Sequence, residues 1–297
     1  MARTSLRFKI TDIFYIVMMI LPLAFGIVLQ VLTKPLVEGI TVTGARVFFT
    51  VPMPIQDLVV TEAQVNSALV MVTILFFCLY MTHGITERIS LKRQHFAELI
   101  VEKVDGLVLE NMGEYFKGYS PFIITILALS AFSSLISLLG LFPPTSDLNV
   151  VAGWAVLVFI LITYYKFKGG PLNYFKGFTE PIPLLAPINF VSEFATPVSM
   201  AFRHYGNILS GTVISILVSA GLSGLSAIVL KFLPGFLAEI PLFRIGLPAV
   251  LSIYFDVFSG CLQAFIFAML TMMNISIGFP MDEYEKRKLK KLAKSNK

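Results

Sequence analysis

Of 297 residues, 56% are hydrophobic and 14% charged, with a mean hydropathy of +0.82, whereas soluble domains average about 25% charged residues. This composition excludes a water-soluble globular protein and predicts an all-α integral membrane protein, with the lipid bilayer as its solvent. The net charge of +5 comes without the basic-aromatic interleaving that nucleic acid demands, so nucleic acid is excluded as a partner.

In chain order, six hydrophobic segments are long enough to cross a hydrocarbon core about 30 Å thick: Ile10–Leu32, Asn66–Met81, Phe122–Phe142, Val150–Tyr165, Ile188–Leu233 and Pro241–Ile277. The first has a basic approach, Arg3, Arg7 and Lys9, in the manner of a signal peptide. Its apolar part is too long for one and no small-x-small cleavage site follows, so it reads as a retained span. The segment Thr33–Val65 carries an alternating stretch, Ile40 to Thr50, that predicts short strands or an extended cap. Between Glu87 and Lys117, Phe96, Ile100, Val104, Leu107 and Met112 recur at helical spacing among charges. They predict an amphipathic helix at the cytoplasmic interface, or one packed on a partner helix.

The last two runs are too long. At 1.5 Å per residue a 45-residue helix reaches about 67 Å, roughly twice a perpendicular span, so each is expected to be broken or strongly tilted. Pro197, Gly206, Gly211, Gly221 and Gly224 in the first, with Pro248 and Gly260 in the second, are expected places to bend or to approach another helix. Cys78 and Cys261 sit inside apolar runs without ligand spacing and read as small buried hydrophobes. No metal and no cofactor is expected.

With six alternating spans and both termini cytoplasmic, eighteen of the 23 basic residues fall on the inner side, including seven between Lys286 and Lys297. Lys34, Arg46, Lys231 and Arg244 fall outside. This asymmetry matches the positive-inside rule and predicts a multi-pass protein of the cell membrane. Arg203 alone belongs to neither side. An arginine at mid-span costs roughly 3 kcal/mol or more, which marks a functional site with a partner to be found. Asn207, four residues on, shares its helix face. In the final run Ser252, Asp256, Ser259 or Gly260, Gln263, Thr271 and Asn274 recur every three or four residues and lay a polar stripe along an apolar helix. Glu193 lies ten residues before Arg203, about 15 Å along a helix, and Asp256 near the other end of an antiparallel one. One acid on each side of a fixed positive charge suggests two water-accessible pockets from opposite faces.

The segment Glu193-Phe-Ala-Thr-Pro-Val-Ser-Met-Ala-Phe-Arg-His-Tyr-Gly-Asn-Ile-Leu-Ser-Gly211 strongly resembles the arginine helix of subunit a of F-type ATP synthases. Ser137–Asn149, Phe175–Pro183 and Gln263–Thr271 agree with that family in the same order, over roughly Asn66 to Ile277. The resemblance implies residues 1–65 as an amino-terminal span and outer segment, and 66–297 as an ion-translocating membrane domain with a basic tail. It implies a non-catalytic stator within a hetero-oligomeric complex, facing the rotating c-ring and held by peripheral-stalk b subunits. By position, it makes Arg203 the essential arginine, Asn207 its helical neighbour and Gln263 the glutamine beside it. Glu193 falls at an inner-path acid and Asp256 at an ionisable position of the outer path. Thr212 departs from the family where an ionisable partner of the Asp256 position is common, and His204 stands where leucine is commoner. His204 is expected to serve packing or a hydrogen bond, with a lesser claim to proton traffic. The coupling ion is expected to be the proton, with sodium as the alternative.

Two other classes compete. A secondary transporter with Arg203 binding an anionic substrate calls for symmetry between halves, and none is visible. An intramembrane enzyme needs a nucleophile with a base, or a metal cluster, while His83, His95 and His204 are scattered.

Overall fold

In the computed structural model, residues 10–33, 44–54, 56–85, 92–168, 170–179, 182–231, 242–281 and 284 are described. Six helical segments among them are long and apolar enough to cross a membrane: Ile10–Thr33, Glu62–Thr82, Glu114–Leu139, Leu148–Lys168, Pro183–Val229 and Gly246–Gly278. Each overlaps one of the six expected runs. The protein is an all-α integral membrane protein with one small β element.

Helix α1 (Ile10–Thr33) packs on α2 (Glu62–Thr82). Between them β1 (Val47–Val51) and β2 (Leu58–Thr61) pair antiparallel, Val47 opposite Thr61 and Val51 opposite Leu58. Of the expected stretch, Val47 to Thr50 lie in β1 and Gly44 to Arg46 precede it, while Ile40 to Thr43 lie outside the described residues. Hydrocarbon gives apolar helices no hydrophobic reason to associate, and α1 is held by charge at both ends instead. Arg46, just before β1, donates in a fork to Glu62 at 2.7 and 2.9 Å and to the Thr33 carbonyl at 2.9 Å. At the opposite end Arg93 pairs with the buried Asp12 and donates to the His83 carbonyl at 2.8 Å.

Helix α3 (Lys92–Met112) packs on α4 (Ser120–Leu135) and α9 (Gly260–Gly278). Its inward face is Val104, Val108 and Met112, while Phe96 is exposed and Leu107 only half-buried. Of the five expected residues Val104 and Met112 thus turn inward, Ile100 and Leu107 lie at the margin and only Phe96 is exposed, while Val108 joins the inward face. The main core joins these helices to α5 (Leu148–Lys168) and α7 (Ala186–Val229) through Ile123, Val158, Met200, Phe267 and Ile275, all nearly inaccessible. The short helix α6 (Pro171–Thr179) precedes α7.

Among the described residues helix α7 is unbroken to Val229, and the last run stays helical from Leu242 to Gly278. Helix α7 continues through Pro197 for 44 residues, about 66 Å at 1.5 Å per residue, so it must lie strongly inclined to cross a core of about 30 Å. Helix α8 (Leu242–Ser252) passes into a π-helical segment (Ile253–Ser259) and then α9. The irregularity falls between the two expected bend sites, Pro248 and Gly260. Only some glycines mark close approach. A Cβ on Gly211 would meet the Phe255 ring at 2.9 Å and one on Gly260 would meet Ser134 Cβ at 2.8 Å, whereas Gly206, Gly221 and Gly224 face open space. Cys78 and Cys261 are free thiols, as expected, but exposed rather than buried; a small apolar side chain costs nothing against lipid.

Gly260→Val should force α4 and α9 apart and lower stability by about 1–3 kcal/mol, whereas Gly221→Ala should be neutral or slightly stabilising. Thermal unfolding of the detergent-solubilised protein measures both, and equal behaviour of the two variants would contradict this packing.

Candidate functional site

The site is built where α7 crosses α9 and the π segment. The bundle side of α7 is closed by Met200, Ala201, His204 and Ile208, each at most 8% exposed. Arg203 stands at the edge of that face beside the exposed Phe202, and is itself exposed. No hydrogen bond or ion pair joins it to a described residue. Its side chain borders a groove of about 360 Å³ with Ser199, Met200, Leu270 and Asn274.

Asn207, one turn further along α7, meets the π segment. Its Nδ2 donates to Ser259 Oγ at 2.8 Å, and that hydroxyl donates back to Asn207 Oδ1 at 3.1 Å. This closed pair fixes the register of α7 against the end of the π segment, with Gly211 on Phe255 continuing the contact one turn further. Ser259 entered the polar stripe only as an alternative to Gly260; the structure gives the two different jobs.

Gln263, one turn beyond Ser259, is 4% exposed and lies on the buried stripe of α9 with Phe267 and Thr271. Asp256 lies within the π segment, half-buried, and accepts from Ser252 Oγ at 2.8 Å. By the Gly211–Phe255 contact it sits level with the stretch of α7 that follows Arg203, while Glu193 precedes Arg203 by ten residues. The two acids therefore flank the arginine along α7, as expected. Thr212 is not brought onto Asp256 by any hydrogen bond: its hydroxyl donates to the Ile208 carbonyl at 3.0 Å on its own helix.

His204 is fully buried. Its Nε2 lies 3.3 Å from Ser130 Oγ, and its ring meets Trp154 and Phe267 edge-on at 6.0 and 5.6 Å. This is hydrogen-bonded packing, the first of its two expected roles. Glu193 Oε2 accepts from Lys166 Nζ at 2.6 Å. The pair borders a cavity of about 400 Å³ that shares Ser192, Thr196 and Asn274 with the arginine groove. On α6, burial and then the Glu193 carboxylate raise the pKa of the Tyr174 phenol.

The sequence did not point to Ser130, Trp154 or Lys166. Lys166 had been counted only among the inner-side cations, because nothing in its own segment tells which helix α5 touches.

The sequence model of the family described as "ATP synthase A chain" matches residues 65–276. Among curated relatives, "ATP synthase subunit a, sodium ion specific" of Propionigenium modestum is 30% identical over 83% of this chain and 88% of its own length. "ATP synthase subunit a" of Desulforamulus reducens is 33% identical over 69% of this chain and 74% of its own. The protein of that name from Glaesserella parasuis serovar 5 is 32% identical over 70% and 83%.

Asn207→Ala and Ser259→Ala should each weaken the α7–α9 contact and together cost little more than either alone. A coupling of about 0.6 kcal/mol, the usual scale for hydrogen bonds between membrane helices, is expected in a double-mutant cycle on unfolding. Strict additivity would remove the pair as the pin of this register.

Proposed function

Since the chain belongs to the ATP synthase subunit a family, a non-catalytic ion-translocating stator of the membrane sector, we propose that Arg203 is its fixed electrostatic gate, standing between two aqueous half-channels and facing ion-binding carboxylates of a rotating c-ring. The observation that carries this reading is the exposure of Arg203 on a membrane-length helix with no described partner. A charge so placed needs an opposite charge, which no described residue supplies and a carboxylate of the ring would.

In this reading a ring carboxylate crosses lipid in protonated form, because a bare ion there is prohibitively costly. Beside Arg203 the positive charge favours the ionised form, and the proton leaves into one half-channel. The emptied carboxylate passes the arginine and is reloaded from the other side. A guanidinium suits the task because it does not release its own proton, and its charge opposes a direct leak between the half-channels. The inner path runs from Glu193 along the polar cavity to the arginine groove; the outer path passes Asp256. Asn207 holds the helix that carries the gate, and Gln263 stands on the facing helix. Thr212 contributes no ionisable group, so the outer path rests on Asp256, Ser252 and water. Each elementary charge moved gains about 2.3 kcal/mol per 100 mV.

The chain works in the cell membrane with both termini cytoplasmic, alongside the c-ring and peripheral-stalk b subunits. The coupling ion in this reading is the proton. A sodium-coupled version is the alternative, and it is the one carried by the name of the Propionigenium relative.

Arg203→Ala should abolish ATP synthesis coupled to ion flow while the membrane sector still assembles; normal ATP-driven pumping by that variant would sink the proposal. Asp256→Asn should slow passive ion conductance through membranes stripped of the soluble ATPase by about tenfold or more, and unchanged conductance would remove Asp256 from the path. Stimulation of the complex's ATP hydrolysis by sodium at neutral pH would favour the sodium alternative over the proton.

A further inference from the structure

The end of α7 that carries Glu193 is closed by a charge from another helix. Lys166, two residues from the end of α5, reaches the carboxylate at 2.6 Å; the lysine side chain is 29% exposed and that of the glutamate 10%. The lysine gets there across the last residue of α9: a Cβ on Gly278 would meet Lys166 Cε at 3.3 Å and Cγ at 3.4 Å. The same crossing brings a cation to a helix C-terminus, where the backbone dipole favours it. One ion pair thus ties α5, α7 and α9 together at the cavity wall.

Its position along the path matters as much as its strength. The cavity beside the pair and the groove beside Arg203 share Ser192, Thr196 and Asn274. The Lys166–Glu193 pair therefore stands at one end of a polar path and the arginine at the other. Glu193 Oε1 is buried and makes no hydrogen bond of standard geometry to a described residue, although the Tyr174 phenol stands close enough to interact with this carboxylate. Low-dielectric walls concentrate the field of any charge left unbalanced in such a cleft. Without the lysine the vestibule would hold cations; without the glutamate it would repel them.

We propose that Lys166 is the charge-setting residue of this vestibule. Its ammonium cancels Glu193, so that a cation moving toward Arg203 crosses a neutral mouth. The proposal rests on reading the cavity as part of the ion path, but its test does not depend on translocation.

In the complete complex, with Cys78 and Cys261 replaced by alanine, Thr196→Cys provides a reporter in the shared wall. Its labelling by a cationic and by an anionic methanethiosulfonate of equal size is read by mass on this chain. Relative to the parent, Lys166→Gln should raise the cationic-to-anionic rate ratio about tenfold and Glu193→Gln should lower it about tenfold. The double substitution should return it to within about twofold, and Lys166→Arg should leave it unchanged. A ratio indifferent to the single substitutions, a double substitution that keeps the ratio of either single one, or no labelling at all would overturn the proposal. If Lys166→Gln prevents assembly, Glu193→Gln and Lys166→Arg still test it, since only charge setting predicts a fall for the first and no change for the second. Arg203→Ala, assayed for pumping in the same membranes, reports separately on the function.

Discussion

A permanent positive charge on the outward side of a helix immersed in hydrocarbon has to be compensated, and Arg203 finds no described compensation in its own chain. The rest of α7 is arranged around that fact. One face is closed against the bundle by Met200, His204 and Ile208, and another carries Phe194, Val198 and Phe202 outward, where lipid or an apolar partner suits them. Arg203 lies at the boundary, beside a groove where Ser199 and Asn274 alternate with Met200 and Leu270. An isolated charge in a low-dielectric setting costs far more than any single packing contact returns. In the proposed reading the described fold presents the arginine to a partner instead of satisfying it.

Three other described cations behave differently, which makes the contrast informative. Arg46 with Glu62, Arg93 with Asp12, and Lys166 with Glu193 each close on an acid whose side chain is at most 10% exposed. Buried ion pairs are weak contributors to net stability, but breaking one strands a charge, so they fix geometry firmly. Where lipid is as apolar as leucine, geometry is what the helices lack. The first two pairs pin α1 at its ends, and the third joins three helices beside the proposed path. The same chemistry that serves as structure at those points is left open at Arg203.

Much of this was legible in the sequence because bilayer physics imposes it. Span length follows from hydrocarbon thickness, so the six segments could be found from apolar runs alone, and the excess length of the last two already required inclined helices. The cost of burying polar groups made the stripe from Ser252 to Asn274 stand out, and Ser259 and Gln263 on it do face protein. Contacts between elements were not legible. Periodicity places Val104 and Leu107 on adjacent positions of α3 without saying which meets a neighbour, and composition cannot separate Gly211 and Gly260, which touch another helix, from Gly206 and Gly221, which do not. Lys166 illustrates the limit: a basic residue at a helix end is explained by topology alone until the glutamate of a different helix is placed beside it.

The π segment bears on how the two approaches to Arg203 differ. A wide i→i+5 turn accommodates an extra residue and shifts the phase of everything beyond it. Within the segment Asp256 is held by the Ser252 hydroxyl, at its last residue Ser259 meets Asn207, and just beyond it Gly260 meets Ser134. The segment and Gly260 just after it thus carry a polar position and two close contacts within a few residues. On the Glu193 side no irregularity is needed, since α5 supplies the countercharge from outside. The carboxylates flanking the arginine are therefore not equivalent. Glu193 is paired with an ammonium, whereas Asp256 is bonded, among the described residues, only to a neutral hydroxyl. In the proposed reading, that difference suits one acid to setting the field of a vestibule and the other to exchanging the ion.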